Sequence, residues 1–406
     1  MRVLHVVTAF PRAPGDIIAP WLVELIRRQR AMGLEAEVFA PAYRGGGNTE
    51  LEGIPIHRFR YFPAPWEDLT HDQGTVDRVG GRGALRHKFM PPFYVLAGMR
   101  AVRRLARERQ YDIVHVHWPV PHALFGWAAR RAGGKRRLPR LVTLWYGIEL
   151  RWVKSRLPWL NQFLKWAVRT SDEVVAISSY TAREITDLVH VPVRVIPYGL
   201  GFDESIPTTR TTRARDSFLI LYVGNLIPRK GVRFLIDALH RLPSTIPAKL
   251  LILGEGTDRP SLEAQVRELG LDGRVSMPGR VPDADLHQAL QEASVLVLPS
   301  IVDKRGDTEG LGVVLLEAMS YRVPVIGSAI GGITDIITDG ETGLLVPPED
   351  PAAIAAAIGR IAGDQTLAAR LAEAGSRRVR ERFGWDAITA AWLECYTAAL
   401  QKDPRG

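Results

Sequence analysis

A single cysteine, Cys395, leaves this 406-residue chain without an internal disulfide and without a Cys-rich zinc site. A secreted disulfide scaffold is thereby excluded, and a reducing, cytoplasmic compartment is expected. No run of about 18–20 uninterrupted apolar residues occurs, so no segment is expected to span a membrane. The N-terminal stretch MRVLHVVTAFPRAPGD lacks both the apolar core and the small-residue cleavage site of a signal peptide. Low-complexity tracts are missing as well, because the 37 Gly and 28 Pro punctuate turns rather than form repeats. What is present is ordinary globular material, 46 % hydrophobic and 24 % charged. The length suits two or three domains of ~150 residues.

Acidic residues are scarce in the first half. Residues 1–200 hold 30 Lys and Arg against 17 Asp and Glu, a net of +13. Residues 201–406 hold the remaining 23 and 27, a net of −4, which recovers the overall +9. Two readings fit: arginines on solvated faces, or a half that meets something anionic, such as a membrane surface or an anionic acceptor. Arg100–Arg109 is a basic helical run. Between Arg151 and Arg169, five cations interleave with Trp152, Trp159, Phe163 and Trp166. Trp159, Phe163 and Trp166 fall on one helical face, which fits either packed core or a lipid headgroup boundary. No nucleic-acid recognition module occurs, so nucleic acid is not an expected partner.

Short β-branched runs alternate with helical patterns along the whole chain. In the first half the strand candidates are Val3–Val7, Ala36–Ala40, Ile113–Val116, Leu141–Leu144, Val174–Ile177 and Val193–Ile196. In the second half they are Phe218–Val223, Leu250–Leu253, Arg274–Met277, Val295–Leu298, Val323–Ile326 and Leu344–Val346. Most are continuous apolar runs, as strands covered on both faces should be. Such alternation implies parallel sheets with helical crossovers. Two α/β units follow, with the seam at Gly199–Arg215. Asp350–Ala374 reads as one Ala-rich helical stretch, and a last helix covers Trp385–Leu400. Ligands of such sheets bind past the carboxyl ends of the strands.

Several residues that carry chemistry follow those ends. Gly224-Asn225 and Arg229-Lys230-Gly231 come after the strand Phe218–Val223 and open a helix, an arrangement suited to a diphosphate. Glu309-Gly310-Leu311-Gly312 follows the strand Val295–Leu298, and Glu317 lies eight residues on, among apolar neighbours. A carboxylate there needs a partner, and sugar or ribose hydroxyls would serve. His115 and His117 end another strand. They are expected on opposite sides of it, acting separately, and no third ligand marks a zinc site. Gly15 and Asp16 follow the first strand. Asp283-Ala-Asp285 has the form of a metal-binding Asp pair but opens a helical stretch, where aspartate caps are expected.

Together these segments resemble the retaining glycosyltransferases of family 4. Glu309 to Glu317 is similar to that family's E-x7-E motif, and Gly224 to Gly231 to its phosphate-binding turn. Ile196-Pro-Tyr-Gly-Leu-Gly-Phe-Asp203, Ala329-Ile-Gly331-Gly332 and Asp339-Gly340-Glu-Thr-Gly343 resemble further segments in the same order. The resemblance implies the GT-B fold, with two Rossmann-like doubly wound domains facing a central cleft. Residues 1–200 would form the acceptor domain and 201–384 the donor domain. The last helix, about 385–406, would pack back onto the first. It further implies that Arg229 and Lys230, with Gly224 and Asn225, hold the donor diphosphate. Glu309, Gly310, Leu311, Gly312 and Glu317 would hold its sugar and ribose. Glu309 and His117 would be the catalytic pair, and Gly15 and Asp16 an acceptor-side loop. No metal or cofactor is implied, the nucleotide-sugar being a co-substrate and the acceptor a sugar or lipid-linked hydroxyl. Two other classes compete with this reading: a nucleotide-sugar epimerase of the same architecture, and a nucleic-acid-binding protein suggested by charge alone.

Overall fold

The computed structural model describes residues 1–13, 16, 18–70, 85–132, 138–200, 218–304 and 306–402. The chain divides into two compact units. One comprises Met1–Ile177, Thr181–Gly199 and the chain from Ile388 onward, and the other Leu200–Ala387 with Ser178–Tyr180. Most of the expected seam, Gly199–Arg215, lies outside the described residues.

The first unit is built on an eight-stranded sheet. Its strands are β1 (Arg2–Val6), β2 (Glu35–Pro41), β3 (Thr49–Leu51), β4 (Ile54–Phe59), β5 (Ile113–His117), β6 (Arg140–Trp145), β7 (Glu173–Ala176) and β8 (Arg194–Val195). The order is β3-β4-β2-β1-β5-β6-β7-β8, parallel except for the β3–β4 hairpin. β5 and β6 are buried at every position, as strands covered on both faces are, although they carry His115, His117, Arg140 and Thr143 among their apolar residues. Helix Pro20–Ala31 follows β1 and buries Leu22, Leu25 and Ile26. Helix Arg86–Arg109 packs Met90, Tyr94 and Val102 into a core with Phe39, Phe59 and Phe125.

The second unit carries six strands, all parallel: β9 (Phe218–Val223), β10 (Ala248–Leu253), β11 (Val275–Gly279), β12 (Val295–Leu298), β13 (Val325–Ser328) and β14 (Leu344–Val346). Their order is β11-β10-β9-β12-β13-β14. Every strand read from the sequence is present, within two residues at each end. Two were not foreseen, β3 and β4. Glu52 (φ 50°) and Gly53 (φ 77°) turn between them with two positive φ values, the geometry of a tight hairpin. Pro55 inside β4 obscured that strand. The Ala-rich helical stretch comprises two helices, Pro351–Gly363 and Gln365–Phe383. They part at Asp364, whose carboxylate accepts the Leu367 N–H at 2.9 Å and caps the second.

The last helix, Trp385–Gln401, enters the first unit from Ile388 onward. Trp392 and Tyr396 are buried there, and the Trp392 ring centroid lies 4.4 Å from that of His115. Trp392→Ala is therefore expected to cost the first unit about 3–5 kcal/mol. A denaturant titration following that unit measures this, and a loss below about 1 kcal/mol would show that the helix is not part of its core.

Candidate active site

In the second unit the loops after β9, β12 and β13 meet around one carboxylate. After β9, Pro228–Lys230 forms a single 3-10 turn, and Gly231 (φ 62°) starts helix Val232–Arg241. A Cβ on Gly231 would lie 2.1 Å from the Pro299 carbonyl oxygen, so only glycine lets this turn rest against the loop after β12. That contact brings two cations to Glu309. Lys230 Nζ forms an ion pair with Glu309 Oε2, and Arg229 Nη1 lies 3.5 Å from the same oxygen. Ser300 Oγ donates to it at 3.2 Å, and Arg229 Nε lies 3.5 Å from Asp307 Oδ2. The amides of Lys230 and Gly231 donate to the carbonyls of Ile227 and Pro228, at 2.9 and 3.1 Å. Those two amides are thus spent within the turn, and the side chains of Lys230 and Arg229 add positive charge here.

Glu309 is only 8 % exposed. Burial raises its pKa, but the charges of Lys230 and Arg229, with hydrogen bonds from Lys230 and Ser300, bring it net below the ordinary glutamate range. Its backbone rests on Gly331-Gly332. A Cβ on Gly331 would sit 2.1 Å from the Glu309 carbonyl oxygen, and one on Gly332 2.2 Å from that of Gly310. The Gly332 N–H donates to the Glu309 carbonyl at 3.0 Å. Leu311 is buried, and Gly312 precedes helix Val313–Ser320, which carries Glu317. Glu317 is half-buried, and its carboxylate has no hydrogen-bond or ion-pair partner among the described residues. Burial raises its pKa, opposed by His287. Gly224 has φ 152°, and the exposed Asn225 offers its carbonyl to the Tyr222 hydroxyl at 3.0 Å.

In the first unit one expectation is corrected. His115 and His117 do not lie on opposite sides of β5, because side chains two residues apart on a strand share a face. Their rings stack with centroids 4.0 Å apart. His5, paired in register with His115 across β1 and β5, joins them. His5 Nδ1 lies 3.1 Å from His117 Nε2, and His117 Nδ1 lies 3.1 Å from the Tyr146 hydroxyl. Both ring nitrogens of His117 are thus engaged within this unit. Burial lowers the pKa of His5 to about 4 and lowers those of His115 and His117 as well, so all three are neutral near pH 7. Asp16 accepts from Arg12 Nε at 2.7 Å, and Gly15 lies outside the described residues.

Asp283 and Asp285 stand exposed in the first turn of helix Asp283–Glu292, whose N-cap is Pro282. Of the aromatic stripe, Trp159 is exposed, whereas Phe163 and Trp166 pack against the core of Leu164, Ala167 and Val168. Sequence reasoning assigned no role to Ser300 and Asp307, although both lie in or beside the Glu309 segment. Nor did it give a role to Glu149, a fully buried glutamate. Glu149 Oε1 accepts the Tyr146 N–H at 2.8 Å, while Oε2 has no partner.

Burial raises the Glu149 pKa to about 7, against the pull of its backbone hydrogen bonds and of Arg151. In the unfolded chain it titrates near 4.5. Between these values the folded state holds the extra proton, so stability falls as pH rises from about 4.5 to about 7 and is level above. Glu149→Gln should abolish that slope and raise stability at pH 8 by about 3 kcal/mol. Denaturant titrations of both proteins from pH 4.5 to 8 test this, and parallel curves would refute it.

Two family models match the chain: "Glycosyltransferase Family 4" over residues 19–203 and "Glycosyl transferases group 1" over residues 209–378. A glycogen synthase of Mycobacterium tuberculosis is 31 % identical over 316 residues, covering 75 % of this chain and 73 % of that one. A GDP-mannose-dependent alpha-(1-6)-phosphatidylinositol monomannoside mannosyltransferase of Mycolicibacterium smegmatis is 29 % identical over 364 residues, covering 85 % and 93 %. Among solved structures, the sucrose-phosphate synthase of Thermosynechococcus elongatus superposes with a TM-score of 0.73 at 22 % identity, over 98 % of each chain. The chain belongs to the group 1 glycosyl transferases of glycosyltransferase family 4 and has their GT-B fold.

Proposed function

We propose that this glycosyltransferase moves a hexosyl unit from a nucleotide-sugar to an acceptor hydroxyl with retention at the anomeric carbon. The second unit would bind the donor and the first the acceptor. One observation carries the reading: Lys230 and Arg229 converge on the buried Glu309 at the carboxyl ends of β9 and β12. The donor diphosphate takes over the hydrogen bonds that Lys230 and Arg229 now give to Glu309, alongside Gly224 and Asn225. Glu309 then accepts from hydroxyls of the transferred sugar, which the amides of Gly310, Leu311 and Gly312 also meet. Glu317, the half-buried carboxylate without a partner, receives the ribose hydroxyls. The bond from the anomeric carbon to the phosphate oxygen breaks as the acceptor oxygen bonds to that carbon on the same face. The acceptor proton passes to the departing phosphate, whose charge the two cations stabilise without a metal. His117, with both nitrogens engaged, positions Tyr146 and Trp21 on the acceptor side rather than moving a proton. Transferases among the relatives favour transfer over epimerisation.

Mass-spectrometric assay of UDP-, GDP- and ADP-sugars against soluble and lipid acceptors identifies the reaction. Glu309→Gln should lower turnover by about 10²-fold or more while the protein stays folded by circular dichroism. Lys230→Ala should weaken nucleoside diphosphate binding by 1.5–3 kcal/mol or thereabouts, roughly 10–100-fold. Near wild-type turnover in Glu309→Gln would overturn the donor-site assignment.

The acceptor in this reading lies at an anionic membrane surface, on the cytoplasmic side. Helix Arg86–Arg109 supports this. Phe89, Phe93 and Leu96 stand exposed along one stripe of it, opposite the buried Met90, Tyr94 and Val102. Further along, Arg100, Arg104 and Arg109 border a groove of about 770 Å³, with Arg58 and Arg60 on another wall. No helix among the described residues is long and apolar enough to cross a membrane, so contact would be interfacial. The mycobacterial relative named for a phosphatidylinositol monomannoside points the same way. Co-sedimentation with anionic vesicles should be strong at low salt, weak at high salt, and lost in the Phe89→Ser, Phe93→Ser double variant. Equal, negligible binding of the wild type to anionic and neutral vesicles would refute the membrane surface.

A further inference from the structure

His5, His115 and His117 form a buried trio in the first unit, on one face of β1 and β5. They are 0, 0 and 3 % exposed, and one nitrogen of each lies within 4.8 Å of the other two. The other nitrogen of each is held from outside. His5 Nε2 lies 2.9 Å from Gln29 Oε1, His115 Nδ1 lies 2.8 Å from the Tyr396 hydroxyl, and His117 Nδ1 lies 3.1 Å from the Tyr146 hydroxyl. Gln29 Nε2 donates to Tyr396 at 3.1 Å, which fixes the amide so that Oε1 accepts from His5.

Protons alone cannot satisfy this cluster. With His5 protonated on Nε2, its Nδ1 must accept, so His117 donates from Nε2 and accepts the Tyr146 proton on Nδ1. His115 Nε2 is left without any partner, fully buried, and no choice of tautomer supplies one. A cation resolves the arrangement in one step. If His5 Nδ1, His115 Nε2 and His117 Nε2 all present lone pairs inward, the three outer nitrogens all carry hydrogens. These donate to Gln29, Tyr396 and Tyr146. Outward N–H donation from each imidazole to an oxygen is the arrangement that orients histidine ligands around a metal.

We propose that His5, His115 and His117 bind a divalent cation of the zinc class, with Gln29, Tyr396 and Tyr146 orienting the ligands. Three neutral imidazoles suit zinc, and such sites keep a fourth position for a non-protein ligand. Seating the ion requires the stacked rings of His115 and His117 to part, since tetrahedral ligation needs converging nitrogens. Burial of all three side chains means that the ion enters as the unit folds. It then fastens β1 to β5, next to the Tyr396 of the last helix. The proposal does not depend on the donor-site reading, which concerns the other unit.

The test uses the full chain without a histidine tag, refolded with zinc chloride and passed over a chelating column. Elemental analysis should find about one zinc per chain in the wild type and in His190→Gln, which alters an exposed histidine, but less than about 0.1 in His115→Gln. Zinc-edge absorption of the wild type should show a nitrogen-dominated shell at about 2.0–2.1 Å, a measurement independent of whether any variant folds. A wild type that retains no zinc, a sulfur-containing shell, or equal retention by a folded His115→Gln would overturn the proposal.

Discussion

A carboxylate buried against a lysine sets the arrangement of the whole carboxyl end of the second sheet. An unpaired carboxylate at the depth of Glu309 would cost several kcal/mol, so its neighbours are not optional. Lys230 and Arg229 compensate its charge and Ser300 adds a hydrogen bond. Those partners arrive from different strands, and each arrival has its own steric condition. Lys230 reaches the carboxylate because Gly231 can lie on Pro299, and Glu309 keeps its place because Gly331 and Gly332 present no Cβ to its backbone. The glycines that read as scattered signature positions thus form one packing problem, whose solution is the position of a single oxygen. A ligand bearing phosphate finds the two cations already gathered, so little side-chain ordering is left to do on binding.

The first unit is fixed by a polar constraint of the opposite kind. There the side chains themselves carry no charge: burial keeps the three imidazoles neutral, and hydrogen bonds with Gln29, Tyr396 and Tyr146 hold their outer nitrogens. β1 supplies His5, helix Pro20–Ala31 supplies Gln29, β5 supplies His115 and His117, and the last helix supplies Tyr396. The Tyr396 hydroxyl lies within hydrogen-bond distance of both Gln29 and His115, so the C-terminal helix has one register against the first sheet. Apolar packing of Trp392 gives that helix its affinity, and the tyrosine gives it its place.

These two constraints explain what could be read from the sequence. Strands of a doubly covered parallel sheet are mostly continuous apolar runs, so Val174–Ile177 or Val295–Leu298 announce themselves, and motif residues just past such strand ends follow from the architecture. β4 did not, because it alternates between buried and half-exposed positions and contains Pro55. Ser300 and Asp307 are unremarkable in a sequence and acquire meaning only when the loop folds against Arg229 and Glu309. His5 needed the strand order, since nothing local says that β1 lies beside β5. The placing of His115 and His117 on opposite faces was an error of period, and strand geometry alone corrects it.

Charge distribution separates two ideas that the sequence had joined. The second unit's half of the chain is net −4, yet it holds the site best suited to an anion. Net charge governs long-range potential, whereas a bound phosphate responds to the few groups within hydrogen-bond reach in a poorly screened setting. Two cations facing Glu309 and Asp307 suffice there, because the donor has only to compete with those carboxylates. The +13 of the first half behaves differently. Arg60 is paired with Glu67, Arg140 with Asp172 and Arg151 with Glu184. Arg103 and Arg107 instead stand exposed on the helix that also exposes Phe89 and Phe93. Surplus positive charge thus lies beside exposed aromatic surface. Such a pairing brings little to a solvated face, but it acts additively where an apolar phase carries negative headgroups.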